Sequence, residues 1–221
     1  MVRNLRKRLL INHREKSAIS EEFRVLRTNI ELLEGKRKVK TLLLTSSSPK
    51  EGKSTIVSNL ASILGEQSKR VLIIDADLRL PTQHQILKQS NLAGLSDFLT
   101  GKSNLEAIIQ DSYLKNVDFI PSGPSPFNPS ELLSKEAFTN LLQDLEPLYD
   151  YIIIDSSPIT VIDSQIIASK IDSVILVVEE NKTATAKFNE SLSILRRTRA
   201  HVLGIILNKT KEKKSNYYYY Y

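Results

Sequence analysis

Apolar positions along the chain follow two rhythms. In Ser20-Glu21-Glu22-Phe23-Arg24-Val25-Leu26-Arg27-Thr28-Asn29-Ile30-Glu31-Leu32-Leu33, the residues Phe23, Leu26, Ile30 and Leu33 recur at steps of three and four. That spacing predicts a helix with one apolar stripe. Ser20 stands where an N-cap belongs, Glu21 and Glu22 favour the first turn, and Gly35 is a stop signal. From residue 39 the pattern changes to short, almost continuous apolar runs: 39–45, 71–74, 117–120, 151–154, 174–178 and 202–207. Residues 53–64, 131–145 and 184–198 between them read as helices. Strands that are apolar on both faces belong to a parallel sheet with helices above and below. The pattern predicts a three-layer α/β fold with a mostly parallel sheet and no internal repeat.

At 221 residues the chain can bury a sizeable core. No apolar run approaches the eighteen or so residues that a membrane-spanning helix needs. The basic N-terminal stretch lacks the apolar segment and cleavage site of a secretory signal. Cysteine is absent, which excludes a disulfide framework and thiolate chemistry and fits a cytoplasmic protein. His13, His84 and His201 show no zinc-ligand spacing. The net charge of +6 lies at the ends: residues 1–16 carry +5 and residues 209–216 carry +3, which leaves −2 on the rest. A body without basic excess argues against nucleic acid as a partner. Basic ends suit an anionic membrane surface, an acidic partner or simple solubility. The expected organisation is a basic arm over 1–19, one domain over 20–208 and a tail over 209–221.

Ligands of open α/β sheets bind beyond the carboxyl ends of the strands. The first run leads into Ser46-Ser47-Ser48-Pro49-Lys50-Glu51-Gly52-Lys53-Ser54-Thr55. Gly-Lys-Ser between a strand and a helix suits a phosphate-binding loop, although Ser47 occupies the place of the usual first glycine. In the loop that Pro49 opens, the backbone N–H groups of Lys50, Glu51, Gly52, Lys53, Ser54 and Thr55 at a helix start can cradle phosphates, Lys53 can reach the outer ones and Ser54 can ligate Mg²⁺. Alone, the triplet also fits an ordinary strand-to-helix turn. Two more strands deliver carboxylates: Asp75 with Asp77 after Ile74, and Asp155 after Ile154. Carboxylates gathered there repel one another unless a cation neutralises them. Together with Gly-Lys-Ser they predict a nucleotide–Mg²⁺ site. Asp163 has a simpler explanation as a helix N-cap. Asn208-Lys209 closes the last strand, and Lys211 stands where a guanine-reading loop would carry an aspartate. Asn208 is left either to contact a purine edge or to cap the strand end.

The chain finishes Lys211-Glu212-Lys213-Lys214-Ser215-Asn216 followed by Tyr217, Tyr218, Tyr219, Tyr220 and Tyr221. Five consecutive phenols cannot all face a core. They are either a frayed terminus or a substrate.

These residues, taken together, resemble the bacterial tyrosine kinases of capsule and exopolysaccharide synthesis. The likeness runs from about Ser20 to the tail. It is carried by Ser48-Pro49-Lys50-Glu51-Gly52-Lys53-Ser54, by residues 72–81, by Asn128-Pro129-Ser130-Glu131-Leu132-Leu133, by residues 150–155, by the first helix and by the tyrosine cluster. The resemblance implies ATP as donor, Mg²⁺ as cofactor and a tyrosine hydroxyl as acceptor. It implies that Lys53 binds phosphate, that Ser54, Asp77 and Asp155 hold Mg²⁺, and that Asp75 accepts the phenol proton. It also implies a ring-shaped homo-oligomer with Glu21, Arg24 and Arg27 at its interface, each tail entering a neighbour's active site. A membrane adaptor would activate the chain and hold it at the inner face of the membrane, and a protein-tyrosine phosphatase would reverse the modification. Two positions depart from related patterns. Ser156-Ser157-Pro158 replaces the family's common Thr-Pro-Pro, which puts the local loop shape in question, and Ser48 stands where the partition and cell-division ATPases carry a signature lysine. The other expectations left standing are a switch ATPase, for which the five tyrosines have no use, and a non-catalytic assembly protein, which leaves Lys53 and the aspartates unexplained.

Overall fold

The structure, a computed structural model, describes residues 18–34 and 39–210. Its first half runs α1 (Ala18–Glu34), β1 (Thr41–Ser46), α2 (Lys53–Glu66), β2 (Val71–Asp75), α3 (Gln83–Leu87), α4 (Leu95–Leu99), α5 (Leu105–Ile108), β3 (Gln110–Asp111) and β4 (Val117–Ile120). The second half runs α6 (Pro129–Ser134), α7 (Glu136–Leu145), β5 (Tyr151–Asp155), α8 (Ile162–Ala168), β6 (Ser173–Glu179), α9 (Thr185–Arg197) and β7 (Val202–Asn208). The strands form one sheet in the order β3-β4-β2-β5-β1-β6-β7. Every pairing is parallel except β3 with β4.

Side chains alternate across the pleat, so each apolar strand serves two cores. Leu43, Leu72, Ile74, Ile152, Ile154, Val174 and Leu176 point into one, which α4 to α9 cover. Leu42, Leu44, Val71, Ile73, Ile153, Ile175 and Val177 point into the other, beneath α1 and α2. The fold is the three-layer α/β arrangement that the apolar runs predict. Among the described residues no helix is long and apolar enough to cross a membrane.

Several local expectations need correction. α1 already includes Ala18, so Ser20 lies inside the helix, fully buried, and does not cap it. Phe23, Leu26 and Ile30 pack inward, but Leu33 is exposed. The helix leans on α2. Gly35 lies outside the described residues.

The segment 131–145 is two helices, α6 and α7, separated by an extended Lys135 with ψ of 154°. In one continuous helix Leu132 and Leu133 would lie nearly opposite Phe138, Leu141, Leu142 and Leu145. The break lets both groups enter the same core.

Candidate functional site

The loop between β1 and α2 is built by burial and by hydrogen bonds from distant segments. Gly52 has φ of 99°, a left-handed conformation that suits glycine, and a Cβ there would run into the Asn208 side chain. The Asn208 Nδ2 donates to the Glu51 carbonyl at 2.7 Å. Asn208 therefore tethers the loop from the end of β7. Glu51 is buried and does structural service: Ser48 N–H donates to its Oε2 at 3.0 Å and the Thr183 hydroxyl donates to its Oε1. Lys50 has φ of 66°, and its carbonyl accepts from Lys209 Nζ at 2.8 Å. Lys53, the first residue of α2, is buried, while Pro49 leads into the turn and Ser54 and Thr55 are half-buried. Ser47, in the place of the usual glycine, keeps a buried hydroxyl without a hydrogen bond.

β2 and β5 are neighbours, and their parallel register sets Asp75 beside Asp155. Both are buried. Burial and the neighbouring Asp155 charge push the Asp75 carboxyl up to about 8, against backbone donors at Gln83 and Thr82. Burial also raises Asp155, although Lys53, Ser54 and Gln83 pull the other way. One carboxylate oxygen of Asp155, Oδ1, is buried without a partner. Asp77 stands apart in the following loop, partly exposed, with its Oδ1 accepting from Leu80 N–H at 3.1 Å.

Three features of the site are not in the expected residue set. Gln83 is fully buried between Asp75, Asp155 and the start of α2. The Thr82 hydroxyl donates to Ser54 Oγ at 2.8 Å. Arg79 forks onto Asp163, with Nε–Oδ2 at 2.7 Å and Nη2–Oδ1 at 3.2 Å. Asp163 is the second residue of α8 and the cap position is Val161, so the N-cap expectation fails. Its buried carboxylate is matched by an arginine from the β2–α3 loop. The sequence signal for this segment is Pro81-Thr82 ahead of a short apolar turn, a helix start that is easily read as loop.

Ser156-Ser157 fits its surroundings through its hydroxyls. Ser156 Oγ donates to the Leu44 carbonyl at 3.2 Å, Ser157 Oγ lies 2.9 Å from Ser164 Oγ, and Thr45 Oγ1 donates to the Ser157 carbonyl at 2.9 Å. On α1, Arg24 pairs with Glu21 at 2.9 Å on the surface. Arg27 lies 3.9 Å from Glu31, an ion-pair distance too long for a hydrogen bond, and its Nε is buried with none. The five tail tyrosines, together with Lys213 and Lys214, lie outside the described residues.

The residues at the strand ends fit an anionic ligand with a hard divalent cation. A buried lysine opens a helix, a left-handed glycine turns the loop just before it, and a buried carboxylate keeps one oxygen unpaired. Among the described residues no three His, Asp or Glu side chains form a ready metal cage. Mg²⁺ bound through one or two carboxylates plus phosphate oxygens needs none.

Comparison with known proteins agrees with this arrangement. A family model described as an AAA domain matches residues 50–205. The chain is 40% identical over 207 residues to the tyrosine-protein kinase YwqD of Bacillus subtilis strain 168, a match covering 93% of this chain and 87% of the relative. Among solved structures, the chimerical protein CapA2B2 superposes with a TM-score of 0.88 at 36% identity, covering 92% of this chain and 90% of the other. The kinase domain of the Escherichia coli tyrosine kinase ETK superposes with a TM-score of 0.85 at 31% identity, covering 91% and 79%.

Proposed function

The chain belongs to the bacterial tyrosine-protein kinases of capsule and exopolysaccharide synthesis, and from that membership we propose that it phosphorylates its own C-terminal tyrosine cluster between copies, with ATP and Mg²⁺. The donor's outer phosphates lie on the backbone from Pro49 to Thr55, with the Lys53 ammonium neutralising them. Ser54, Asp77 and Asp155 would hold the cation, with the unpaired Oδ1 of Asp155 available to it or to its water. Bound there, Mg²⁺ offsets the charge on the transferring phosphoryl group.

The phenol oxygen attacks the γ-phosphorus, the bond to the ADP oxygen breaks, and the phenol proton passes to Asp75. Burial raises the proton affinity of Asp75 in the metal-free protein, and a cation held by Ser54, Asp77 and Asp155 would favour the ionised form that can take the phenol proton. Most of the rate then comes from positioning and charge neutralisation.

The observation that carries this proposal is the acceptor itself. Five consecutive tyrosines follow a basic stretch, while Tyr149 and Tyr151 are buried in the fold. Transfer between copies uses the ring that the Glu21, Arg24 and Arg27 face would build. Each added phosphate brings about −1.5 to −2 charges and loosens that ring by repulsion. The similarity to a chimera named CapA2B2 supports a second polypeptide as activator, a membrane adaptor that brings the kinase to the inner face of the membrane. A protein-tyrosine phosphatase returns the tail to its starting state. In domain terms, residues 20–208 are the catalytic unit, 1–19 a basic arm and 209–221 the substrate tail.

The test is a variant with all five tail tyrosines replaced by phenylalanine. Retained ATP binding with loss of self-phosphorylation supports the proposal. Undiminished labelling refutes the tail as acceptor, and ATP hydrolysis by the unaltered protein without any phosphotyrosine favours a switch ATPase.

A further inference from the structure

Gln83 is the first residue of α3 and lies where three segments converge, yet it carries no charge and matches no phosphate-binding motif. It is fully buried. Its side-chain Nε2 donates to Asp155 Oδ2 at 2.9 Å and to the Ser54 carbonyl at 3.0 Å. Its Oε1 accepts from Ser58 Oγ at 2.6 Å. Its backbone N–H donates to Asp75 Oδ2 at 2.9 Å, beside the Thr82 N–H at 3.0 Å. The orientation of the carboxamide is dictated by its partners. Two acceptors, a carboxylate and a carbonyl, face one end, so the NH₂ must be there, and the hydroxyl donor faces the other.

This arrangement divides the Asp155 carboxylate. Gln83 holds Oδ2, and Oδ1 is left buried and unpaired. The same amide ties Oδ2 to the backbone of Ser54, so two of the three residues assigned to the cation are fixed relative to each other through one side chain. We propose that Gln83 is a positioning residue for the Mg²⁺·nucleotide site, holding Asp155 and the start of α2 in one geometry so that Oδ1 faces the cation. The inference rests on Asp155 and Ser54 serving Mg²⁺. Ser58, one turn along α2 from Ser54, supports the amide from behind, and its hydroxyl also reaches the Ser54 carbonyl at 3.0 Å.

Gln83→Met keeps the length of the side chain and removes its donor and acceptor. The measurement is ADP affinity by calorimetry on the full chain, once in saturating Mg²⁺ and once in EDTA, with unfolding curves to establish the fold. Loss of an outer-shell partner is expected to weaken Mg²⁺-dependent binding by about tenfold, with less than about a twofold change in EDTA. Equal losses in both conditions, or none, overturn the proposal, because packing damage does not select for the cation. If Gln83→Met fails to fold, Ser58→Ala decides instead. A smaller but Mg²⁺-selective loss supports the role, and an unchanged Mg²⁺ dependence overturns it. Asp155→Asn in the same assay separates the two levels. If it shows a Mg²⁺-selective loss and Gln83→Met does not, only the role of Gln83 fails. If Asp155→Asn itself leaves the Mg²⁺ dependence intact, the assignment of Asp155 fails and the role of Gln83 with it.

Discussion

Asp75 and Asp155 are register partners at the carboxyl ends of adjacent parallel strands, both buried, with the Ala76 N–H donating to the Asp155 carbonyl at 2.8 Å. Two carboxylates so placed are costly to ionise together without a cation.

The first prediction concerns pH. In the native protein Asp75 keeps its proton up to about 8, whereas an unfolded aspartate loses it near 3.8. Between those values the folded state binds the extra proton, so stability falls as pH rises. Thermal melts of the nucleotide-free protein in EDTA should show a midpoint about 3–6 °C lower at pH 8 than at pH 6. Asp75→Asn should flatten that dependence and melt higher at pH 8 while losing phosphoryl transfer. An unaltered slope in Asp75→Asn would assign the effect elsewhere.

The pairing of Arg79 with Asp163 gives a second prediction. The arginine is half exposed but its partner is buried, so Arg79→Ala strands a carboxylate in the fold. Urea unfolding should register a loss of about 1–2 kcal/mol, below the cost of breaking a fully buried pair because water reaches the guanidinium. Asp163→Asn, which removes the charge that needs a partner, should cost less than Arg79→Ala.

Asn208 offers a third. Its amide holds the Glu51 carbonyl and fills the space beside Gly52. Asn208→Ala should weaken ATP binding by about tenfold through a loosened loop, while global stability drops by only about 1 kcal/mol. Intact affinity in calorimetry would mean that the loop keeps its shape without this tether.

Buried tyrosines supply the fourth. Tyr149 donates to Asp118 Oδ2 at 2.8 Å, and burial together with that carboxylate raises its phenol above the ordinary range. Tyr151 is buried in strand β5, whereas Tyr113 is 54% exposed. Peptide mapping of the variant lacking tail tyrosines should find Tyr149 and Tyr151 unmodified. Any residual phosphate should fall on Tyr113.

Most of the sheet was legible because its strands are buried on both faces and therefore read as unbroken apolar runs. The helix pair at 129–145 was legible in principle. Its apolar residues change phase between Leu133 and Phe138, but a window that counts apolar residues overlooks the change. α3, α4, α5 and the two-residue β3 are too short for a period to emerge. The strand-end residues could be found because a glycine, a lysine and three aspartates carry their chemistry in their identities. Gln83, Thr82 and Arg79 could not be singled out from sequence. Their importance comes from long-range contacts: Gln83 to Asp155 spans 72 positions and Arg79 to Asp163 spans 84. Ser20 looked like a cap because its type favours helix starts, whereas α1 already includes Ala18 and Ser20 is fully buried within it.

The central claim, transfer from the strand-end site of one copy to the tail of another, is tested by mixing two full-length variants. Lys53→Met retains Tyr217 to Tyr221 but lacks the phosphate-binding ammonium; its partner retains Lys53 but has phenylalanine at all five tail positions. With ATP, Mg²⁺ and an activating adaptor segment, mass spectrometry should find phosphate on the tail of Lys53→Met in the mixture and none when that variant is incubated alone. An unmodified tail in the mixture, with the unaltered protein labelled under the same conditions, would contradict transfer between copies.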